Sequence, residues 1–341
     1  MGILNFFKAK SVPIESGSGR IVYSPPINMN YHRRNLTTAL MLKNYGDASP
    51  ILPLRKYPQY FSEKDYNIGN PKWVHQSLVQ KNFLVPSTPE EILNSLKVVE
   101  LKDILVSHSL SVTGRKADLV QRIIDSMDVN ELDVLKKEKC YSLSNAGRKF
   151  LDDNYDYVMF HKHRVRQLSF EGYCSLRNKL GANKFFEIAE ELLRKEINLS
   201  PKEAHIRFCY YFLSELYKEW EIPQKALLCL LYAQYIDLNS DYNHPSYRSF
   251  LSGMTKKKEL LQHLKNDKFF IEGVVSSVFE LREYFSEDMI AEIYSIRPVE
   301  VQYCNEAEFK SVVYDILDKR TFPKAKWTSY FVKNFIEYHQ L

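Results

Sequence analysis

Residues 96–127 read LKVVELKDILVSHSLSVTGRKADLVQRIIDSM, and this stretch decides the local fold. Apolar residues recur at helical spacing in each half, first as Val98, Leu101, Ile104 and Leu105 and then as Leu119, Val120, Ile123 and Ile124. The pattern predicts two short amphipathic helices. Helices this short are stable only when their apolar faces pack on each other, so the turn between them should have a fixed shape.

The predicted turn, residues 111–114, has the composition of an anion site. Gly114 can adopt a positive φ, and Thr113 is expected to cap the second helix. Arg115 and Lys116 then occupy the first helical turn, where an acidic side chain would ordinarily complement the helix dipole. Two cations there cost about 0.3–1 kcal/mol of helix stability, and a bound phosphate would reverse that sign.

Eleven residues of this stretch stand at mutually consistent spacing: Leu96, Glu100, Leu101, Lys102, Leu105, Leu110, Gly114, Lys116, Leu119, Arg122 and Ile123. In this pattern the segment resembles the SAP domain, a helix pair that binds DNA in many chromatin and repair proteins. One departure is Ser109, which stands where the family usually has glycine. The resemblance covers about a tenth of the chain and implies DNA binding with little base selectivity. The expected DNA-contacting residues are Lys102, Thr113, Gly114, Arg115, Lys116 and Arg122.

The mode of DNA binding follows from the reach of these groups. Short side chains and backbone N–H groups suit phosphates better than base edges, which require fixed bidentate partners. We therefore expect duplex binding through the backbone that is weak, salt-sensitive and nearly indifferent to sequence. A preference for narrow, A·T-rich minor grooves would follow from their more negative potential.

Composition limits the class of protein. The chain has 341 residues, 45% of them hydrophobic, with 14 Pro and only 11 Gly, which favours a folded and mainly helical protein. A net charge of +5 predicts that any DNA site is local. Five widely spaced cysteines and no secretory or membrane-anchoring segment indicate a reducing compartment. We expect a bacterial cytosol with nucleoid association, or the nucleus in a eukaryote.

Three regions are predicted along the chain. Residues 1–60 form a flexible basic arm, with eight Lys and Arg against two acidic residues, and its prolines interrupt long helices except around residues 36–45. The arm could lie along phosphates or be a solvated tail, and its deletion should leave the fold intact. Residues 61–151 form the SAP-containing unit, in which a helix near residue 73 should bury Trp73, Val74, Leu78 and Val79.

Residues 152–341 are predicted to form an α-helical domain. Residues 207–240 resemble one tetratricopeptide unit through Tyr210, Leu213, Ser214, Tyr217, Ala226, Leu230 and Ala233. Ser214 replaces the usual Gly or Ala, Leu238 replaces the usual Pro, and no neighbouring segment repeats the pattern. We therefore predict a single helical hairpin rather than an array. The domain would bind another protein or a second copy of this chain, or would be structural bulk.

The alternative from another functional class is a metal-dependent nuclease, because carboxylates and imidazoles in residues 152–163 could hold a divalent ion. The residues concerned are Asp152, Asp153, Asp156, His161 and His163. The competing interpretation is solvated charge near a helix end. A third alternative is a scaffold in which the SAP-like pair only packs. Since no phosphate loop, nucleophile elbow or zinc motif is present, the main prediction is a non-enzymatic protein without metal or cofactor.

Overall fold

The computed structural model describes residues 27–62, 66, 70–128, 131, 139–163, 168–200, 202–239, 272–296 and 303–321, together with seven residues between 323 and 337. The chain divides into two compact units between Ile188 and Ala189. The described parts contain fourteen α-helices, three short 3₁₀ helices (Leu54–Lys56, Gln59–Ser62 and Arg282–Tyr284) and three short strands, which confirms the mainly α prediction. No helix among them is both long and apolar enough to span a bilayer.

The elements of the first unit, Pro25–Ile188, are mostly helices. The helices are α1 (Met29–Tyr45), α2 (Pro71–Gln80), α3 (Pro89–Ser95), α4 (Val98–Ser107), α5 (Lys116–Ser126), α6 (Asn145–Asp153), α7 (Tyr155–Lys162) and α8 (Phe170–Leu180). The strands are β1 (Ser49–Pro50), β2 (Leu84–Pro86) and β3 (Cys140–Leu143). The helix α9 (Phe185–Leu199) contains the division, and the second unit continues with α10 (Glu203–Glu219), α11 (Pro223–Asn239), α12 (Glu272–Glu280), α13 (Glu287–Ile296) and α14 (Glu306–Lys319).

The helix pair predicted from the sequence lies in a segment of the chain that connects two paired strands of a small sheet. β3 is the central strand and pairs antiparallel with both β1 and β2, so α3, α4 and α5 lie between two paired strands in the sequence. The Ser87 N–H donates to the Cys140 carbonyl at 3.0 Å, and the hydroxyls of Ser87 and Ser142 are 2.8 Å apart. These bonds hold the two ends of this segment side by side.

A helix is present around residues 36–45, where the sequence allowed one, but it begins earlier and forms α1 in the core of the first unit, so residues 29–45 are not part of a flexible arm. The Asn28 side chain caps this helix by accepting the Tyr31 N–H at 3.1 Å. Leu36 and Leu42 are fully buried, and α1 packs against α6 and α7. Deleting residues 1–60 should therefore unfold the unit, contrary to the expectation from sequence. Residues 1–26 of the predicted arm lie outside the described part.

The inward face predicted for α2 is also wrong at its first position. Trp73 is 69% exposed, whereas His75 and Leu78 are buried. The Asn70 side chain accepts the Lys72 N–H, and Pro71 is the first helical residue and is buried, which turns Trp73 outward. Leu78 is buried and Val74 and Val79 are half-buried, as expected, so hydrophobicity assigned only Trp73 to the wrong face. The inward position beside Leu78 is taken by His75, which lies 3.0 Å from the Tyr57 hydroxyl.

The first unit extends past residue 151, where the sequence had placed its end. Asp156 of α7 is buried and accepts hydrogen bonds from Arg177 of α8 at 2.6 Å and from the Tyr173 hydroxyl at 2.9 Å. The Arg177 guanidinium also lies over the ring of Tyr157, 4.3 Å from its centroid. This buried network joins α7 to α8, so both belong to the first unit.

The second unit is built around the hairpin of α10 and α11, as the sequence predicted. Ser214 and Ala226 are fully buried, and the rings of Tyr210 and Tyr232 stack at 4.5 Å. Arg207 donates two hydrogen bonds to the Asp237 carboxylate, at 2.5 and 2.9 Å, which joins the two helices inside the core. Every residue of α11 from 226 to 239 is buried, so this helix is the centre of the second unit.

A buried carboxyl in α13 should make the second unit less stable at higher pH. Burial raises the pKa of Glu292 to about 7, and this exceeds the opposing effects of Tyr232 and Arg194. Between pH 4.5 and about 7 the folded state keeps this proton while the unfolded state releases it, so stability falls as pH rises. We expect Glu292→Gln to stabilise the protein by about 1–3 kcal/mol at pH 8 and to flatten this slope.

Urea unfolding followed by circular dichroism at several pH values tests this expectation. The exposed Glu283 gives a matched control, Glu283→Gln, which should leave both stability and slope unchanged. An unaltered pH slope in Glu292→Gln would contradict the assignment.

Candidate nucleic-acid interface

Three helices, rather than the two predicted, form the core of the candidate site. Leu101 and Leu105 of α4 and Leu119 and Ile123 of α5 are fully buried, as the periodicity predicted. Leu93 of α3 completes the same cluster, so the unit begins before residue 96. The Thr88 capping box, in which Glu91 accepts the Thr88 N–H at 2.8 Å, starts α3.

The end of α4 shows how the chain accommodates Ser109. The Leu110 N–H donates to the Leu105 carbonyl at 2.8 Å and the Ser109 N–H to the Val106 carbonyl at 3.0 Å, which together form a Schellman motif. Ser109 has a φ of 60°, in the left-handed region that glycine occupies more easily. The motif also places Leu110 against the helix core, and this fixes where the turn begins.

This geometry predicts that Ser109→Gly stabilises the helix pair by about 0.5–1 kcal/mol, because glycine removes the strain of a left-handed side-chain-bearing residue. Thermal or urea unfolding measures the change. Ser107→Gly is the matched control, since Ser107 is exposed and is the last residue of α4. That control should destabilise, because glycine disfavours helical backbone. A destabilised Ser109→Gly would show that the serine side chain has a role of its own.

The start of α5 differs from the prediction. Arg115, rather than Thr113, is the N-cap residue, and the Asp118 carboxylate accepts the Arg115 N–H at 2.8 Å. Thr113 instead lies in the turn, with its hydroxyl 2.9 Å from that of Ser111. Gly114 has a φ of 125°, and a side chain there would meet Asp118 at 3.1 Å. A carboxylate therefore does occupy the first helical turn, which reduces the attraction of the bare helix terminus for an anion.

Two of the predicted DNA-contacting cations already have partners within the protein. The Lys116 ammonium donates to the Asn94 carbonyl at 2.6 Å and so ties the start of α5 to the end of α3. Arg122 donates through one nitrogen, Nη1, to the carbonyls of Ser111 at 2.6 Å and Thr113 at 3.0 Å. Both side chains keep further N–H donors, so these bonds do not prevent contact with a ligand.

Lys102 and Arg115 are exposed, as is the turn between α4 and α5. The structure thus brings Thr113, Gly114, Arg115, Lys116 and Arg122 together at one end of the helix pair, and it places Lys102 on the outward face of α4. Sequence analysis missed the apolar part of that outward face. Val99 and Val106 are 67% and 65% exposed, and their spacing of seven residues, opposite Leu101 and Leu105, is the signal that could have revealed it.

Charge is distributed unevenly along the chain. Residues 92–127 carry five Lys and Arg against four acidic residues, so the helix pair is nearly neutral. The whole first unit carries 24 against 18, a net charge of +6, whereas residues 189–341 carry 20 against 23, a net charge of −3. Positive charge that could attract a polyanion therefore belongs to the first unit, and affinity from the helix pair alone should be low.

The acidic and histidine residues proposed for a nuclease do not converge. Asp156 is buried with Arg177, and Asp153 is exposed and paired with Lys149 at 3.1 Å. The His161 ring nitrogen lies 2.5 Å from the Tyr66 hydroxyl, and His163 stacks on Phe185. In the described parts of the chain no three His, Cys, Asp or Glu side chains are arranged to hold a metal ion. The metal-site interpretation of residues 152–163 therefore lacks the geometry it requires.

Residues 92–127 match the family model of the SAP domain, which confirms the resemblance found in the sequence. The match also begins within α3, in agreement with the place of Leu93 in the core. No curated protein and no solved structure matches the chain. A SAP domain indicates nucleic-acid binding in general. Such binding fits a protein of the nucleus or the nucleoid.

Proposed function

We propose that this protein binds duplex DNA through residues 92–127 without catalysing a reaction on it and without a cofactor. The observation that carries the proposal is the SAP match on a turn that is held in one shape by internal hydrogen bonds. A turn ordered before binding loses less conformational entropy when it meets a phosphate.

The contacts fall on the DNA backbone. Arg115 and Lys102 supply exposed cations, Lys116 adds charge beside them, and the turn at Thr113 and Gly114, which is bridged by Arg122, supplies backbone N–H groups. Only Arg115 and Arg122 carry the guanidinium fork that can read base edges. One nitrogen of Arg122 is engaged with the turn, and among the described residues no hydrogen bond holds the exposed Arg115 side chain in the fixed orientation that base readout requires. Binding is therefore weak, with little sequence preference beyond narrow, A·T-rich minor grooves.

Fluorescence anisotropy with labelled duplexes of A·T-rich and mixed sequence, at several salt concentrations, tests the proposal. The expected result is weak binding of both duplexes, with at most a small preference for the A·T-rich one, and a log K that falls linearly with log salt. Absence of binding at low salt would refute it. If the protein cleaves plasmid DNA in Mg²⁺ or Mn²⁺ and Asp153→Ala abolishes the cleavage, the protein is a metal-dependent nuclease and the non-enzymatic proposal is wrong.

The second unit serves as a protein-interaction domain in this proposal. Its net negative charge disfavours contact with DNA, and Phe208 on its central hairpin is 44% exposed. The partner is another protein or a second copy of this chain. Light scattering of the full chain tests the second possibility, and a strictly monomeric protein that captures no partner would remove the basis for this role. We place the protein at a bacterial nucleoid, or in the nucleus of a eukaryote.

A further inference from the structure

The side chain of Arg122 spans the turn that the DNA proposal relies on. It projects from the second turn of α5, and its Nη1 atom reaches the carbonyls of Ser111 and Thr113 at 2.6 and 3.0 Å. These carbonyls are two residues apart, so a single cationic group holds alternate peptide units of the turn. Charge-assisted bonds of this kind are stronger than those between neutral groups.

The direction of each carbonyl fixes the direction of the next N–H. In a trans peptide the C=O and the following N–H point in opposite directions. With the Ser111 and Thr113 carbonyls directed at Arg122, the N–H groups of Val112 and Gly114 must point away from it. Within the described residues neither N–H donates to another acceptor, and Gly114 is exposed.

We propose that Arg122 is a positioning residue, which aims the N–H groups of Val112 and Gly114 at a nucleic-acid phosphate by holding the two carbonyls behind them. The inference rests on the proposed DNA binding. It differs from the sequence-based expectation, in which Arg122 itself contacts the phosphate. Glycine at position 114 suits this role, because it permits the φ of 125° found there.

The two roles differ in salt dependence. A cation that neutralises a phosphate releases counterions, and its loss reduces the slope of log K against log salt by about 0.9. Neutral N–H donors release none. Arg122→Gln should therefore lower affinity by about 10-fold while the slope stays close to that of the wild type.

The matched control is Arg115→Gln, which removes the same charge from an exposed side chain next to the turn. It should reduce the slope by about 0.9. In ¹⁵N spectra of the free protein it should leave the Val112 and Gly114 amide signals nearly unmoved, whereas Arg122→Gln should shift both. If Arg122→Gln does not fold, Arg122→Met, which keeps an apolar stem, takes its place.

Spectra of the wild type give a test that needs no variant. Adding duplex should shift the Val112 and Gly114 amide signals strongly, and a titration in which other signals of residues 92–127 move while these two do not would overturn the proposal. A slope reduced by about 0.9 in Arg122→Gln, with turn signals unchanged, would also overturn it. A wild type that binds no nucleic acid would instead refute the proposed function.

Discussion

Reversing the charges of Arg115 and Lys116 together is expected to weaken duplex binding by roughly 10- to 100-fold at low salt and to reduce the slope of log K against log salt by about 1.8. Both side chains lie at the exposed end of the helix pair, and each substitution replaces a cation by an anion. Anisotropy titrations at several salt concentrations measure both quantities. The loss should be uniform across DNA sequences, because phosphate contacts carry no sequence information.

A control with the same change in net charge separates this site from general attraction. Arg148 and Lys179 are exposed in the first unit but lie outside residues 92–127. Arg148→Glu with Lys179→Glu should lower affinity far less than the double reversal at the turn. Equal losses in the two double variants, or an intact affinity in a folded turn variant, would show that the turn is not the DNA site.

The structure also separates the two residues of the double reversal. Lys116 holds the Asn94 carbonyl, so Lys116→Glu should disturb the contact between α5 and α3 as well as removing charge. Arg115→Glu changes only an exposed side chain. Arg115→Glu should therefore give about half of the change in the slope of log K against log salt and no loss of thermal stability. Lys116→Glu should reduce both that slope and the thermal stability.

Replacing Asp156 by alanine is expected to destabilise the first unit by about 3–5 kcal/mol, because Arg177 would remain buried without its counter-ion. Asp156 accepts two hydrogen bonds from Arg177, at 2.6 and 3.2 Å, and one from the Tyr173 hydroxyl. Urea unfolding followed by circular dichroism measures the effect. A change below about 1 kcal/mol would mean that water or another group relieves the buried guanidinium.

Asp153→Ala is the matched control for this substitution. Asp153 belongs to the same acidic segment but is exposed, and among the described residues its ion pair is with Lys149, so its removal should cost less than about 0.5 kcal/mol. The pair of variants also tests the alternative of a nuclease site in residues 152–163. Mg²⁺ or Mn²⁺ should leave the unfolding midpoint of the wild type unchanged, and a metal-dependent rise that Asp153→Ala abolishes would restore that interpretation.

Local signals in the sequence were sufficient for the helix pair and its neighbours. Leu101, Leu105, Leu119 and Ile123 are buried because helical periodicity places them on one face of each helix, whatever lies around them. The Thr88 cap and the Asn305 cap, whose side chain accepts the Glu308 N–H at 2.9 Å, are also determined within one helical turn. Spacing alone was therefore enough to identify the SAP domain.

Contacts between residues far apart in the sequence could not be predicted from local patterns. β2 and β3 have three and four residues, too few for a clear alternation, and their pairing spans the whole inserted domain. The burial of α1 was hidden by the basic residues and prolines around it, and Trp73 was assigned to the wrong face because hydrophobicity does not reveal that His75 has a buried partner.

The sequence by itself determined which residues could contact DNA, but only the tertiary structure decided what else they do. Lys116, Arg115 and Arg122 are equivalent as positive charges in the sequence. In the folded protein Lys116 ties α5 to α3, Arg115 remains exposed and Arg122 holds the turn. The reason is that a cation's role depends on which carbonyls lie within hydrogen-bond distance, and those carbonyls are brought there by the packing of α3, α4 and α5.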